Sequence, residues 1–246
     1  MKDVDLYAFG RSTVAGNWEI DRNRIVNRLY HVNAGTATVR SGSREYRLTA
    51  GNTYVIPRCQ NFKPMCAENF DHTYFDFYTA RILNFESIIE IGAGVPCADD
   101  FFLYVNRLIA THPREALQNA MEQFLSGFLT LINDVFASLP YISNASLTEA
   151  VRIIHNEYPC ITTARLAKKL NLNESYFVRS FTAAMGLSPM KYIRAIRVSY
   201  GKSFMQNGMS VTEAAEKCGY SSSSAFYNAM KAELGIAPSD IRKNSI

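Results

Sequence analysis

Ala167-Lys-Lys-Leu-Asn-Leu-Asn-Glu-Ser-Tyr-Phe177-Val-Arg-Ser-Phe181-Thr-Ala-Ala-Met-Gly186-Leu-Ser-Pro189 is echoed further on by Ala215-Glu-Lys-Cys-Gly-Tyr-Ser-Ser-Ser-Ser-Ala-Phe226-Tyr-Asn-Ala-Met230-Lys-Ala-Glu-Leu-Gly235-Ile-Ala-Pro238. In each copy a Phe is followed one helical turn later by Phe181 or Met230, then by a Gly and a Pro at identical distances. An Ala sits on an earlier turn in both, with one extra residue before the aromatic in the second copy. A repeat of this length denotes two similar supersecondary units in tandem.

Periodicity identifies the unit. Thr162 or Thr163 can cap a short helix carrying Leu166, Ala167 and Leu170. The stretch Asn171 to Asn173 then breaks it, because Asn tolerates left-handed backbone and favours turns. A second helix starting near Asn173 or Glu174 keeps Phe177, Phe181, Ala184 and Met185 on one face, and Gly186 ends it as a C-capping glycine does. The second copy predicts a helix over Val211–Lys217, a turn at Cys218-Gly219-Tyr220, and a helix opened by Ser221–Ser224 that reaches Leu234. Helix, tight turn and helix, with a small residue on the inner face, is a helix-turn-helix.

With the buried aromatic as origin, Ser175, Arg179 and Thr182 fall opposite Phe177 and Val178 lies on the flank. In the second copy Ser224, Asn228 and Lys231 fall opposite Phe226, with Tyr227 on the flank. These faces are small, polar and hydrogen-bonding, as a major groove requires of a helix in which Arg bonds guanine and Asn bonds adenine. One such face would equally describe a solvated helical hairpin; two on a common frame favour duplex DNA. With the helix starts included, the DNA-facing set is Glu174, Ser175, Val178, Arg179, Thr182, Ser222, Ser223, Ser224, Tyr227, Asn228 and Lys231, together with Arg197 on the connecting helix.

From Ile161 to Lys243 the chain resembles the AraC family of bacterial transcription regulators. Ala164-Arg-Leu-Ala-Lys-Lys-Leu170 is similar to the family's first motif, Tyr176-Phe-Val-Arg-Ser-Phe181 to its recognition helix, and Tyr192-Ile-Arg-Ala-Ile-Arg197 to the start of its connecting helix. Val211-Thr-Glu-Ala-Ala-Glu-Lys-Cys-Gly-Tyr220 and Gly235-Ile-Ala-Pro-Ser-Asp-Ile-Arg242 resemble the second motif and the closing signature. Asn228 stands where an Arg is frequent, Met230 where a Phe is usual and Gly201 where an Ala is usual. Gly201 costs roughly 1 kcal/mol against Ala inside a helix unless close packing needs it. The resemblance implies two recognition helices held by the helix Pro189 to Met205, entering successive major grooves about 34 Å apart. It also implies a homodimer, a small-molecule effector, and contact with RNA polymerase if the protein is an activator.

Composition bounds the rest. A chain of 246 residues with 48% hydrophobic and 20% charged residues has room for two globular domains. Nothing near Met1 reads as a signal peptide and no apolar run approaches a membrane span, so a cytoplasmic protein is expected. Five cysteines without a Cys-x-x-Cys pair read as small buried residues, with Cys59 and Cys66 the candidates for redox sensing. The net charge of +4 is uneven: from Ile142 onward there are 13 Lys and Arg against 7 Asp and Glu, net +6, which leaves −2 for the residues before it. The basic part is the repeat-bearing part, as phosphate attraction demands.

The expected fold class is α+β, with domains at 1–80 (a cupin-like jelly-roll barrel), 81–140 (helical), 141–146 (linker) and 147–246 (two helix-turn-helix units joined by a helix). In the first part, residues 1 to about 10 read as an arm, and Arg28–Val32 as a strand turned at Asn33-Ala-Gly35 into a second strand, Thr36–Arg40. Ser41-Gly42-Ser43 reads as a hairpin turn, Glu45–Leu48 and Tyr54–Pro57 as further strands, and Asp71–Tyr78 as an aromatic-rich last one. Short strands with Gly turns predict a jelly roll, and Gly51 spaced before Pro57 resembles the sensor domain of AraC-type proteins.

Arg81 to Leu139 reads as helical, with Asp99-Asp100 as a helix cap and a broad apolar stripe from Leu117 to Phe136 for the core or a second subunit. Metal-binding cupins need clustered histidines; His31, His72, His112 and His155 are scattered, so no metal and no cofactor are expected. His72 and Tyr74 share a strand face with Asp76 and Tyr78, and His72-x-Tyr74 resembles the His-x-aromatic pair of sugar-sensing members. Trp18, Arg28, Tyr30, His72 and Tyr74 are the candidate effector residues, unless the rings only fill the core. A cupin-type sugar-processing enzyme with an appended helical module, and a protein–protein adaptor, are the competing functions. The first lacks metal ligands and any activated nucleophile; the second would show no salt-dependent DNA affinity.

Overall fold

A computed structural model describes residues 4–16, 25–41, 43–58, 62–79, 88–91, 98–132, 145–206 and 208–243. It divides into two compact units, Val26–Ile142 with the N-terminal strand, and Ser143–Ile246. The α+β class holds: antiparallel sheet in the first, helices in the second.

The N-terminal unit is a six-stranded antiparallel sheet. Its strands are β1 (Val4–Gly16), β2 (Asn27–Ser41), β3 (Arg44–Thr49), β4 (Thr53–Ile56), β5 (Phe62–Thr79) and β6 (Ile89–Ile91). They run β1-β5-β2-β4-β6, with β3 on β2. Residues 1 to 10 were expected to form an arm; instead Val4 onward pairs with β5, because Leu6 and Phe9 have core to enter. The turn expected at Asn33–Gly35 is a bulge inside one continuous strand. Gly35 has φ 74°, and a Cβ there would lie 2.1 Å from the Asn69 carbonyl, so the kink is absorbed against β5 without chain reversal. β6 falls in the stretch expected to be helical, where β4 offers it an edge. The hairpin joining Ser41 to Arg44 forms as read.

Two helices, α1 (Ala98–Thr111) and α2 (Arg114–Leu131), cover one sheet face. Phe75 and Phe77 of β5 meet Phe102, Met121 and Phe128 there, and the other face carries Tyr30, Val39, Tyr54 and Phe70. Asp99 and Asp100 lie in the first turn of α1, favourable to its dipole.

The C-terminal unit holds α3 (Ala145–Glu157), α4 (Thr163–Lys169), α5 (Glu174–Met185), α6 (Pro189–Gln206), α7 (Val211–Lys217), α8 (Ser223–Leu234) and α9 (Pro238–Lys243). The repeat in the text is a repeat in space. After α4, Asn171 N–H donates to the Lys168 carbonyl and Leu172 N–H to Ala167; after α7, Gly219 donates to Glu216 and Tyr220 to Ala215. Both are Schellman turns with a left-handed residue, Asn171 (φ 54°) and Gly219 (φ 77°). Asn173 caps α5 and Ser222 caps α8, so the extra residue of the second copy is Ser221 in the turn. Gly186 and Gly235 end these helices in left-handed backbone, and Pro189 and Pro238 open the next ones.

Candidate nucleic-acid interface

Burial sorts α5 and α8 into two faces. Phe177, Phe181 and Met185 of α5 are buried, as are Phe226, Ala229, Met230 and Leu234 of α8. Glu174, Ser175, Arg179 and Thr182 are exposed on α5, with Val178 half-buried. On α8, Ser224, Tyr227, Asn228 and Lys231 are exposed, as is the capping Ser222, and Ser223 is half-buried. Ser222 spends its oxygen on the Ala225 N–H, and Ser223 donates to Thr212 Oγ1 at 3.2 Å. Thr182 Oγ1 donates to the Val178 carbonyl at 2.7 Å, which leaves its methyl and lone pairs facing outward. Among the described residues, Arg179 and Lys231 form no ion pair. Each is a long cation without an intramolecular claim on it, next to small polar neighbours.

Arg197 is placed differently from the expectation. Its Nε donates to the Tyr158 carbonyl at 2.7 Å, and Nη2 donates to Pro159 at 3.3 Å and Ile161 at 3.2 Å. The guanidinium fork is turned onto the chain's own backbone, between α3 and α4. No sequence signal distinguishes this Arg from a solvent-facing one, since its partners lie some 36 to 39 residues away.

In the N-terminal unit, strand register gathers the candidate effector residues. Arg28 pairs with Asp76, Tyr30 with Tyr74 and Val32 with His72 across β2 and β5, so all share the face away from α1 and α2. Arg28 Nε lies 3.5 Å from Asp76 Oδ1, and both are buried. The His72 ring stacks on Phe70 at 4.5 Å and lies 4.7 Å from Tyr30. Burial pushes the His72 imidazole down to about 4, so it is neutral at pH 7. Asp76 and Phe70 belong to this cluster; their parity with His72 along β5 was the signal that finds them. Trp18 lies outside the described residues. Among the described residues no group of three His, Cys, Asp or Glu gathers as a metal site, and no helix is long and apolar enough to cross a membrane.

Comparison with known proteins decides what the C-terminal geometry belongs to. Residues 166–244 match a helix-turn-helix domain family. Over 103 residues the chain is 33% identical to the Msm operon regulatory protein of Streptococcus mutans, covering 41% of this chain and 37% of that protein. The C-terminal unit carries a helix-turn-helix domain of the AraC type. This AraC-type unit is also 29% identical over 94 residues to the melibiose operon regulatory protein of Escherichia coli, covering 38% of this chain and 31% of that one. The chain thus spans only about a third of the length of these two regulators. The lactose operon transcription activator of Staphylococcus xylosus is 20% identical over 230 residues, 87% of this chain and 82% of that one. In fold, the whole chain resembles ToxT of Vibrio cholerae, with a TM-score of 0.61 at 14% identity over 98% of this chain and 97% of that one.

Proposed function

We propose that the chain is a sequence-specific DNA-binding transcription regulator whose helices α5 and α8 read two major grooves and whose N-terminal unit takes a small-molecule effector. The observation that carries this is the pair of capped, outward-facing helices on duplicated scaffolds, Arg179 and Thr182 on one, Asn228 and Lys231 on the other. Glu174, Ser175, Val178, Ser222, Ser223, Ser224 and Tyr227 complete that surface. The N-terminal reading is supported by the buried Arg28–Asp76 pair on the same sheet face as Tyr30, Tyr74 and His72, polar groups among rings. A ToxT structure with an unsaturated fatty acid bound gives a precedent for a ligand on this fold. The lactose operon relative, a transcription activator, supports activation as the mode, with RNA polymerase the partner in that case. Exposed Leu103, Tyr104 and Leu131 on α1 and α2 offer a dimer contact. The regulator is read as a non-enzyme working in the cytoplasm.

The test is affinity for duplexes enriched from a random library by the full chain. Arg179→Ala is expected to cost roughly 1–3 kcal/mol on the enriched duplex and little on random DNA, while Lys231→Ala weakens both alike and reduces the salt slope by about one. Equal loss on both duplexes with Arg179→Ala would make it a phosphate contact, and an affinity indifferent to salt would reject DNA as the partner.

A further inference from the structure

The two helix-turn-helix units meet at a junction that neither recognition helix contains. The turn between α3 and α4 runs through Tyr158, Pro159 and Cys160 in the first unit. Tyr158 stacks on Tyr200 of α6, centroids 4.4 Å apart and 11° from parallel. One turn of α6 earlier, Arg197 donates to the carbonyls of Tyr158, Pro159 and Ile161. From the other side comes Gly219, in the turn between α7 and α8: a Cβ there would lie 1.8 Å from the Pro159 carbonyl oxygen and 2.7 Å from its carbon. The corresponding position of the first copy takes Asn171. Left-handed backbone alone is therefore not what demands glycine at 219; the backbone of the first unit lies against it. Arg194 of α6 binds Glu233 of α8 at 2.5 Å on a further line of contact.

We infer that Arg197 and Gly219, closing on Pro159, are positioning residues that fix α8 relative to α5, and so set the separation of the two base-reading elements along the duplex. The inference rests on the DNA-binding reading above. A helix joining two modules fixes their distance but bends and twists; a second contact between the modules removes that freedom. Two readers held at one separation bind a bipartite site as a preorganised pair, and that advantage falls away when the separation fluctuates.

The experiment uses the full chain and the bipartite duplex it enriches from a random library, remade with its two half-elements moved one base pair closer or farther apart. The native chain is expected to bind the original spacing at least tenfold better than either neighbour. Arg197→Ala should weaken binding at the original spacing and shrink the preference over the neighbours to about threefold or less, with Arg197→Lys, which keeps the charge but donates from a single nitrogen, in between. Gly219→Ala should act in the same direction if it folds; Arg197→Ala decides alone if it does not. An Arg197→Ala protein that loses affinity equally at all spacings, or whose salt slope drops by about one with the spacing profile intact, overturns the inference and makes Arg197 a general prop or a phosphate contact. A native chain that enriches no duplex overturns the DNA-binding reading, and this inference with it.

Discussion

Arg179 and Arg197 show how one residue type takes opposite duties. Arg179 projects from α5 with no intramolecular partner among the described residues, and its planar fork is available for a guanine edge. Arg197 spends the same fork on three carbonyls of its own chain. Gly201 presents a comparable choice. Replacing it with Ala gains roughly 1 kcal/mol of helix propensity, but the new Cβ would sit 2.4 Å from Cζ of Phe226. That ring is fully buried and has nowhere to go, and overpacking costs typically about 1–3 kcal/mol. Gly201→Ala is therefore expected to destabilise the chain in chemical denaturation, and Phe226→Leu in the same molecule to recover part of the loss. A stabilised Gly201→Ala would show that the α6–α8 crossing is loose.

Elements are placed by what links them. α1 is fastened to the sheet by a chain of side chains: Thr73 Oγ1 donates to Asn106 Oδ1 at 2.6 Å, Asn106 Nδ2 donates to Asn33 Oδ1 at 2.9 Å, and Asn33 Nδ2 donates to Asp71 Oδ1 at 3.1 Å. Arg11 of β1 closes the chain on Asp71, and its hydrogen bonds hold that carboxyl below the usual carboxylate range. Asn106 is buried, so Asn106→Ala removes the acceptor of the Thr73 Oγ1 hydroxyl and a donor to Asn33 Oδ1. That hydroxyl and that oxygen keep only the longer 3.4 Å contact with each other, and the substitution is expected to cost roughly 1–3 kcal/mol. Amide hydrogen exchange in α1 should rise while that of β2 stays slow. Uniform acceleration across the unit would instead mark Asn106 as part of the global core.

For the molecule as a whole, charge and acid act on different parts. The net +6 from Ile142 onward lies in the unit that carries α5 and α8, and under the proposed function the salt dependence of DNA binding is expected to arise there. Acid acts on the N-terminal unit, where burial lowers both His31 and His72 to about 4. His31 is stacked flat on Phe102 at 4.2 Å, with Nδ1 3.0 Å from Thr53 Oγ1. Between the unfolded value of about 6.5 and about 4, the unfolded chain binds more protons than the folded one at both positions. Stability is thus full above about pH 6.5 and falls with acid, by at most about 1.4 kcal/mol per pH unit for each histidine. Denaturation of the N-terminal unit at pH 7 and pH 5 is expected to show the loss, with His72→Phe reducing it by about half. An unchanged midpoint between those pH values would mean that these rings are hydrated.

Residues 162–243 were legible because helix information is local. Caps, C-capping glycines and the three-to-four-residue apolar period lie within one or two turns of what they determine, so Gly186 and Gly235 could be assigned from the sequence. The caps could be narrowed to Thr162 or Thr163, Asn173 or Glu174, and Ser221–Ser224, of which the structure uses Thr162, Asn173 and Ser222. The outward faces of α5 and α8 followed from the same period. Only tertiary structure decided the pairings across long separations: β1 against β5, the bulge at Gly35, Arg28 beside Asp76, and Arg197 folded back on Pro159. A strand's partner and an arginine's acceptor are chosen by packing among distant segments, whose cost and gain no stretch of sequence carries by itself.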